Sequence, residues 1–366
     1  MQGFPLIEVS GPARERGLQH GAAVSARVAG SVALYRDQMH KRGVGIEQQS
    51  RLARGLIPVI EAYDPRYLEE MQGIADGAGV SIEDIVTINC RTEMMFGYER
   101  MRAGQPPVEK SDGCTGLIVL PEASANGRLL HAHNWDWREE CADTCIVLRI
   151  RSDEGPDILT FCEAGALARH GFNSSGIAIT GNFLMCERDF LQPGQAPLAL
   201  IRRKLLECPS LATAMAQLWK KSRYCSNNLM LSHAGGEAVN LECAPDEIFW
   251  TLPENGILAH ANHWICPIAR GKLRDLGLGS SPDSLYRQRR VTDALRKQAG
   301  SIDFDVLKTI LADEYGKPDS VLRTPKAASF DSISATVATT LMDPGDGVMW
   351  IARQPYATRE FIEYRL

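Results

Sequence analysis

Cys114 stands between Gly113 and Thr115, behind a polar stretch and ahead of the apolar run GLIVL. A mid-chain thiol is mostly protonated near neutral pH and needs a base before it can attack a carbonyl. Scission of the Gly113–Cys114 bond would supply one. It frees an α-amino group on Cys114 itself, with a reference pKa of about 7.7–8.0. A glycine before the cysteine suits such a cut, because it lets the backbone adopt a strained conformation in which the thiol reaches the preceding carbonyl. The competing reading is a buried strand cysteine after a turn glycine, and these residues alone leave both open.

The elements around Cys114 sharpen the question. GLIVL is followed by PEASANGR, which carries Asn126-Gly127, and then by LLHAHNWD. That is a hairpin signal with a longer loop. A hairpin centred near residue 125 sets Cys114 opposite Asp136, to within a residue or two. A thiol and a carboxylate then converge at one end of a sheet.

Upstream, the first 110 residues read mainly as helix. Asp64-Pro65 opens a segment with Leu68, Met71, Ile74, Ala75 and Ala78 on one face, closed by Gly79. Ser81 with Asp84 three residues on forms a capping-box pattern for a second helix running towards Asn89-Cys90-Arg91-Thr92-Glu93. Residues 97–112, with Gly and two prolines, read as an exposed loop. Beyond Gly113 the texture is strands: CIVLRIR, DILTFCEAG, GIAITGN, LMLSH, EAVNLEC, EIFWTL, ILAHAN, SATVATTLMD, VMWIARQ and FIEYRL. Helical stretches interrupt them near residues 196–221 and from Pro282 to about Gln298, the latter opened by Ser281-Pro282. Long helices with many consecutive antiparallel-type strands point to an α+β architecture of sheets layered with helices.

Bulk properties narrow the function. The 366 residues are 44% hydrophobic and 23% charged, ordinary for a globular protein able to bury a sizeable core. A net charge of −5 and no basic run with interleaved aromatics argue against a nucleic-acid partner. No apolar run of about 18 residues and no secretory pattern stand out, so the expectation is a cytoplasmic protein without a membrane partner. The ten cysteines show no disulfide-framework spacing and read, Cys114 apart, as buried free thiols.

DGCTG followed by HNWDW resembles the acyl-coenzyme A:6-aminopenicillanate acyltransferase family (peptidase family C45), self-processing members of the N-terminal nucleophile (Ntn) hydrolases. Four further blocks match in order: GPARERGLQHG near the start, Asn89 to Glu93, Cys162 to Asn182 with its EAG and GFNSSG elements, and Leu241 to Trp264 ending in Asn-His-Trp. The resemblance covers nearly the whole chain. It implies one domain over residues 1–366, a four-layer αββα sandwich of two antiparallel sheets between helices. It implies self-cleavage into a small chain, 1–113, and a large chain, 114–366, that stay associated. Carried over by position, Cys114 is the nucleophile and Asp136 orients or hydrogen-bonds its amine. Asn262 serves the oxyanion hole, with Asn134 and Thr115 as supporting candidates. Related bile-salt and penicillin V hydrolases carry an arginine three residues before the aspartate, where this chain has His133. No arginine accompanies the late strand SISATVAT either, which leaves Arg91 and Arg169 as candidate substrate-steering cations.

Other constellations weigh less. His131 with His133 and His260 with His263 lack a companion carboxylate or thiol at metal spacing, so no metal and no cofactor is expected. His133 and His263 read as satisfied polar residues near the site. Cys141 and Cys145 are too far apart for a redox CxxC pair. Gly171 to Gly176 is not a nucleophile elbow, because its serines are shifted, and it reads as a turn. Trp135, Trp137 and Phe183 suit an apolar acyl pocket as well as ordinary core. Glu93 supports the site from the small chain or simply pairs at a helix end.

These readings lead to a cysteine amidohydrolase that cleaves a linear amide of an N-acylated small molecule through an acyl-enzyme thioester. An acyltransferase moving the acyl group from an acyl-CoA or amide donor to an amine shares every step up to the thioester. A non-catalytic Ntn-like binding scaffold is the reading from another class. The sequence leaves the acyl group, the amine and any homo-oligomer open.

Overall fold

The computed structural model describes residues 3–104 and 113–366. Strand β1 (Leu6–Ser10) precedes helices α1 (Ala13–Ala23), α2 (Ser25–Lys41), α3 (Ile46–Tyr63), α4 (Pro65–Ala78), α5 (Ile82–Asn89) and α6 (Arg91–Ala103). The hairpin β2 (Thr115–Val119) and β3 (Leu130–Arg138) follows, then α7 (Cys141–Thr144), β4 (Cys145–Arg151), β5 (Ile158–Glu163), β6 (His170–Asn173) and β7 (Ile177–Phe183). Helices α8 (Leu198–Leu206) and α9 (Leu211–Lys220) lead to β8 (Asn227–His233), β9 (Glu237–Cys243), β10 (Ile248–Thr251) and β11 (Ile257–His260). The chain closes with α10 (Pro267–Lys272), α11 (Asp283–Lys297), α12 (Phe304–Leu311), β12 (Lys326–Ala328), β13 (Ser332–Asp343), β14 (Val348–Arg353) and β15 (Phe361–Arg365).

The strands form two sheets. The first runs β1-β4-β5-β6-β7-β8-β9-β10 and the second β11-β2-β3-β13-β14-β15, with β12 on β13. Strand alternation shows how the layers stack. On β3, His131 bonds Ser232 and Thr180 of the first sheet, and Trp135 meets Phe161 edge-on at 5.8 Å. The alternate residues Leu130 and Ala132 pack with Val291, Leu295 and Leu307 of α11 and α12. The N-terminal helices share a core with the other face of the first sheet. The result is helix, sheet, sheet, helix: an α+β sandwich with the expected four layers.

Local chemistry explains the helix boundaries. The Asp64 side chain accepts the Arg66 N–H at the start of α4, and Gly79 closes that helix with φ 69°. Ser81 and Asp84 form the capping box of α5. Gly17 and Gly21 of α1 face Gly73 and Gly77 of α4. A Cβ at Gly17 would lie 2.0 Å from the Glu70 carbonyl oxygen, and one at Gly73 2.2 Å from that of Arg14. The glycines of GPARERGLQHG thus let two helix backbones touch.

Several expectations need correction. Strand β1 pairs in parallel with β4, so the first sheet is not wholly antiparallel. Residues 97–103 continue α6, which buries Glu93, Met94, Met95 and Phe96 before Gly104 ends it at φ 67°; the rest of the expected loop, 105–112, lies outside the described residues. The stretch near 196–221 is two helices, divided where Ser210 caps α9. Of the expected turn over Gly171 to Gly176, residues 171–173 belong to strand β6, and only 174–176 turn the chain into β7. Helix α12, capped by Asp303, has no counterpart among the expected elements. Helix α11 begins at Asp283, and the Ser281 hydroxyl donates to Asp283 instead of capping a backbone N–H. Among the described residues no helix is long and apolar enough to cross a membrane. All ten cysteines are buried thiols.

Candidate active site

Cys114 is buried one residue ahead of the first β2–β3 pair, Thr115 opposite Asn134. Extending that register sets Cys114 beside Trp135, one residue short of the expected Asp136. A one-residue slip exchanges the faces of a strand. Asp136 therefore sits beside Thr336 of β13, on the same side of the sheet as Asn134. Cys114 and Asp136 both border one pocket, but they are not the direct cross-strand pair anticipated.

The Cys114 backbone is held from both sides. Its N–H donates to Asn262 Oδ1 at 2.7 Å, and its carbonyl accepts from Arg287 Nη1 at 2.8 Å. Arg287 Nη1 also donates to Thr115 Oγ1 at 3.0 Å, and Nη2 donates to Asn262 Oδ1 at 3.0 Å. Two donors converge on one amide atom, so that atom must be the oxygen. Asn262 Nδ2 in turn donates to the Phe183 carbonyl at 3.0 Å. Asn262 thus acts as acceptor for the nitrogen of Cys114. An oxyanion role would fall to its second Nδ2 hydrogen.

Behind Arg287 lies a buried ionic chain. Arg287 Nε pairs with Asp283 Oδ2 at 2.7 Å, and Arg323 Nη2 pairs with the same oxygen. Arg323 Nε lies 3.2 Å from Asp136 Oδ2, and the Thr336 hydroxyl donates to Asp136 Oδ1 at 2.6 Å. Burial pushes the Asp136 carboxyl up to about 6, although Arg323 and Arg287 pull the other way. Asp283 goes the opposite way. Burial works against its charge, but Arg287 and Arg323 overcome that and hold it below the usual range. Gly113 lies against the Arg323 guanidinium; a Cβ there would come within 2.4 Å of Nη2. An arginine does lie close to the SISATVAT strand: from the preceding segment, the Arg323 N–H donates to Thr336 Oγ1 and its carbonyl accepts the Thr336 N–H.

The pocket in front of Cys114 is walled by Trp135, Trp137, Phe96 and Phe183 and carries Arg91, Arg169, Arg202, Glu93 and Glu163. Arg169 stacks over Trp135 at 4.0 Å and Arg91 over Trp137 at 4.5 Å. Both pair with Glu163, at 2.6 and 3.3 Å. Glu163 ends β5, and the loop after it is clamped: Gly165 N–H donates to His20 Nε2, while Asn89 bonds Gly165 and Leu167. The early and middle sequence blocks thus meet to position Glu163 and Arg169. Glu93 caps α8 by accepting the Leu198 N–H at 2.8 Å, not by an ion pair, and burial raises its carboxyl.

Two supporting candidates are placed elsewhere. Asn134 donates to the carbonyls of Leu311 and Val321 and accepts from Thr339, tying β3 to the α12 layer. His133 bonds Asn182 between the sheets, and burial lowers it to about 3, so it is neutral. His263 bonds Ser284, which also accepts the Asn262 N–H. No group of three or more potential metal ligands occurs among the described residues.

Known proteins resemble this chain to different degrees. The family model described as "acyl-coenzyme A:6-aminopenicillanic acid acyl-transferase" matches residues 123–355, more than half the chain. The 40 kDa form of acyl-coenzyme A:6-aminopenicillanic-acid-acyltransferase of Emericella nidulans is 29% identical over 322 residues, covering 87% of this chain and 85% of that protein. Among solved structures, a mutant conjugated bile acid hydrolase of Clostridium perfringens aligns with TM-score 0.49 at 14% identity, over 69% of this chain and 92% of that one. Penicillin V acylase of Agrobacterium tumefaciens aligns with TM-score 0.40 at 13% identity, over 66% and 83%.

Proposed function

The chain belongs to the acyl-coenzyme A:6-aminopenicillanic acid acyltransferase family of enzymes, and on that premise we propose a self-processing N-terminal-cysteine enzyme that opens a linear amide of an N-acylated small molecule. The observation that carries this reading is the double anchoring of Cys114, N–H to Asn262 and carbonyl to Arg287, at the edge of an aromatic-walled pocket.

Processing begins with attack of the Cys114 thiol on the Gly113 carbonyl. The amide nitrogen leaves as the α-amine of Cys114, and water releases Gly113 as a carboxylate. Residues 1–113 and 114–366 then remain packed through the shared core. The new amine inherits the place of the backbone nitrogen, 2.7 Å from Asn262 Oδ1. Arg287, bonded to the same oxygen, disfavours a second positive charge there. That keeps the amine neutral and able to take the thiol proton. The thiolate attacks the substrate carbonyl, the amine of the substrate leaves with that proton, and a thioester on Cys114 remains. Water then releases the acyl group as an acid.

Acyl transfer to an amine is the second reading, favoured by the name of the Emericella relative. It differs only in what attacks the thioester. Asp136 acts through Arg323 and Asp283 on Arg287, as a positioning residue.

The test pairs intact-mass analysis of denatured wild type and Cys114→Ala with a turnover screen on N-acyl amides, with and without an acceptor amine. Two fragments from wild type, one starting at Cys114, and a single chain from the variant are expected, with turnover by wild type only. Uncut wild-type chain, or cleaved chain inert towards every amide and thioester, would overturn the reading and leave a binding scaffold.

A further inference from the structure

The turn that carries Asn262 is held by a buried imidazole and a buried carboxylate that take no part in the reaction itself. His260 ends β11, and Glu242 lies on β9 of the other sheet; both side chains are fully buried. His260 Nε2 lies 2.8 Å from Glu242 Oε1, and Nδ1 lies 2.8 Å from the Ala261 carbonyl oxygen. A carbonyl only accepts, so Nδ1 carries a hydrogen. At the other nitrogen, two lone pairs would face each other at 2.8 Å unless a proton lay between them. Ring and carboxylate therefore share a second proton. Glu242 also accepts the N–H of Ile265 on Oε1 at 2.7 Å and that of Cys266 on Oε2 at 3.0 Å. Only a carboxylate offers acceptors on both arms; an amide would turn its own N–H against one of these donors.

Asn262 stands between these two attachments. Before it, the Ala261 carbonyl takes the His260 ring and also Asn182 Nδ2, the latter at 2.7 Å. After it, Ile265 and Cys266 are pinned to Glu242. The Asn262 side chain then meets the Cys114 nitrogen at 2.7 Å. We propose that Glu242, paired with His260, is a positioning residue for Cys114: it fixes the turn from which Asn262 orients the nitrogen that becomes the α-amine. This rests on the amide-opening reading for what that amine does.

The experiment is a double-mutant cycle of Glu242→Gln and Asn262→Ala on the processed protein. One readout is kcat and KM on an N-acyl p-nitroanilide. The other is alkylation of Cys114 by iodoacetamide near neutral pH, followed by the mass of the first peptide of the large chain, and it needs no substrate. Glu242→Gln is expected to lower kcat and the alkylation rate about 3- to 10-fold, with KM and thermal midpoint near wild type. In the Asn262→Ala background the same substitution should add almost nothing, because its effect passes through Asn262. Unchanged rates in Glu242→Gln, or losses that multiply in the double variant, overturn the proposal. Should Glu242→Gln fail to fold, His260→Gln takes its place in the cycle, since a glutamine reaches Glu242 or the Ala261 carbonyl but not both; the same pattern of loss decides. Coupled alkylation rates with no amide turned over keep the positioning role and sink the amide-opening reading. Turnover with multiplying losses sinks the positioning role alone.

Discussion

Arg287 donates to the carbonyl oxygen of Cys114 at 2.8 Å while its Nε is fixed by Asp283 at 2.7 Å. Arg287 and Cys114 are 173 positions apart. One fully buried guanidinium therefore sets the backbone on one side of the candidate nucleophile and, through Asn262, the nitrogen on the other.

From this relationship, Arg287→Lys is expected to cost about 10- to 100-fold in kcat/KM, because an ammonium keeps the charge beside Asp283 but cannot form the fork that reaches Cys114, Thr115 and Asn262 together. The deficit should lie in kcat, and the thermal midpoint should stay near wild type. Unchanged kcat/KM in a folded variant would remove Arg287 from the site.

Gly113→Ala is expected to slow self-cleavage. Its Cβ would come within 2.4 Å of Arg323 Nη2, a guanidinium held by Asp283 and Asp136. Either Gly113 or Arg323 must shift. Intact mass over time after synthesis should show uncut chain persisting in the variant. Cleavage as fast as in wild type would mean that the guanidinium gives way freely.

Asn262→Ala should impair turnover more than folding. It removes the acceptor for the Cys114 nitrogen and leaves Arg287 Nη2 short of a partner. Loss of a charge-assisted bond is worth about 1.5–3 kcal/mol. Single-turnover acylation should fall accordingly, and an unchanged acylation rate would show the amine to be positioned without Asn262.

The helix contact of α1 and α4 gives a stability test. Gly21→Ala places a Cβ 2.3 Å from the Ile74 carbonyl oxygen, whereas Gly55→Ala in α3 meets nothing within 4 Å. The first should destabilise by about 1–3 kcal/mol through forced separation of the helices. The second should be neutral or stabilising by about 0.5–1 kcal/mol, since alanine suits a helix better than glycine. Denaturant melts of both variants decide it, and equal midpoints would refute close packing there.

The layered fold and the candidate nucleophile were legible because they are local signals: caps at Asp64 and Ser81, alternation in β2 and β3, a glycine before a cysteine. The cross-strand neighbour of Cys114 falls one residue from the expected Asp136, because a loop of that length does not fix register. Arg287 and Arg323 were invisible for another reason. Their roles come from strand and helix juxtapositions far along the chain, and Arg287 stands in RQRR, which reads as a solvated charge run. One signal was available. Ser284, Arg287, Val291 and Leu295 recur at helical spacing, so Arg287 lies on the buried face of α11 while Arg289 and Arg290 do not. A charge on an apolar stripe calls for a buried partner.

The Asp136 carboxyl gives a pH test whose sign can be worked out. It titrates near 6 in the fold against 3.8 ordinarily, and burial is the cause. The folded protein thus holds this proton more tightly than the unfolded chain. The associated stability is fully present below pH 3.8 and is lost as pH rises through about 6. Activity should move the other way, because only the ionised carboxylate balances Arg323 and, through Asp283, holds Arg287 in place. The rate should climb through pH 6 and level off above it. Asp136→Asn should abolish that acid limb and lower the plateau, while its stability should depend less on pH between about 4 and 6 than that of wild type. Profiles of kcat/KM alongside denaturant melts at several pH values test both halves. An acid limb retained in the variant would assign the titration to another group and reduce Asp136 to packing.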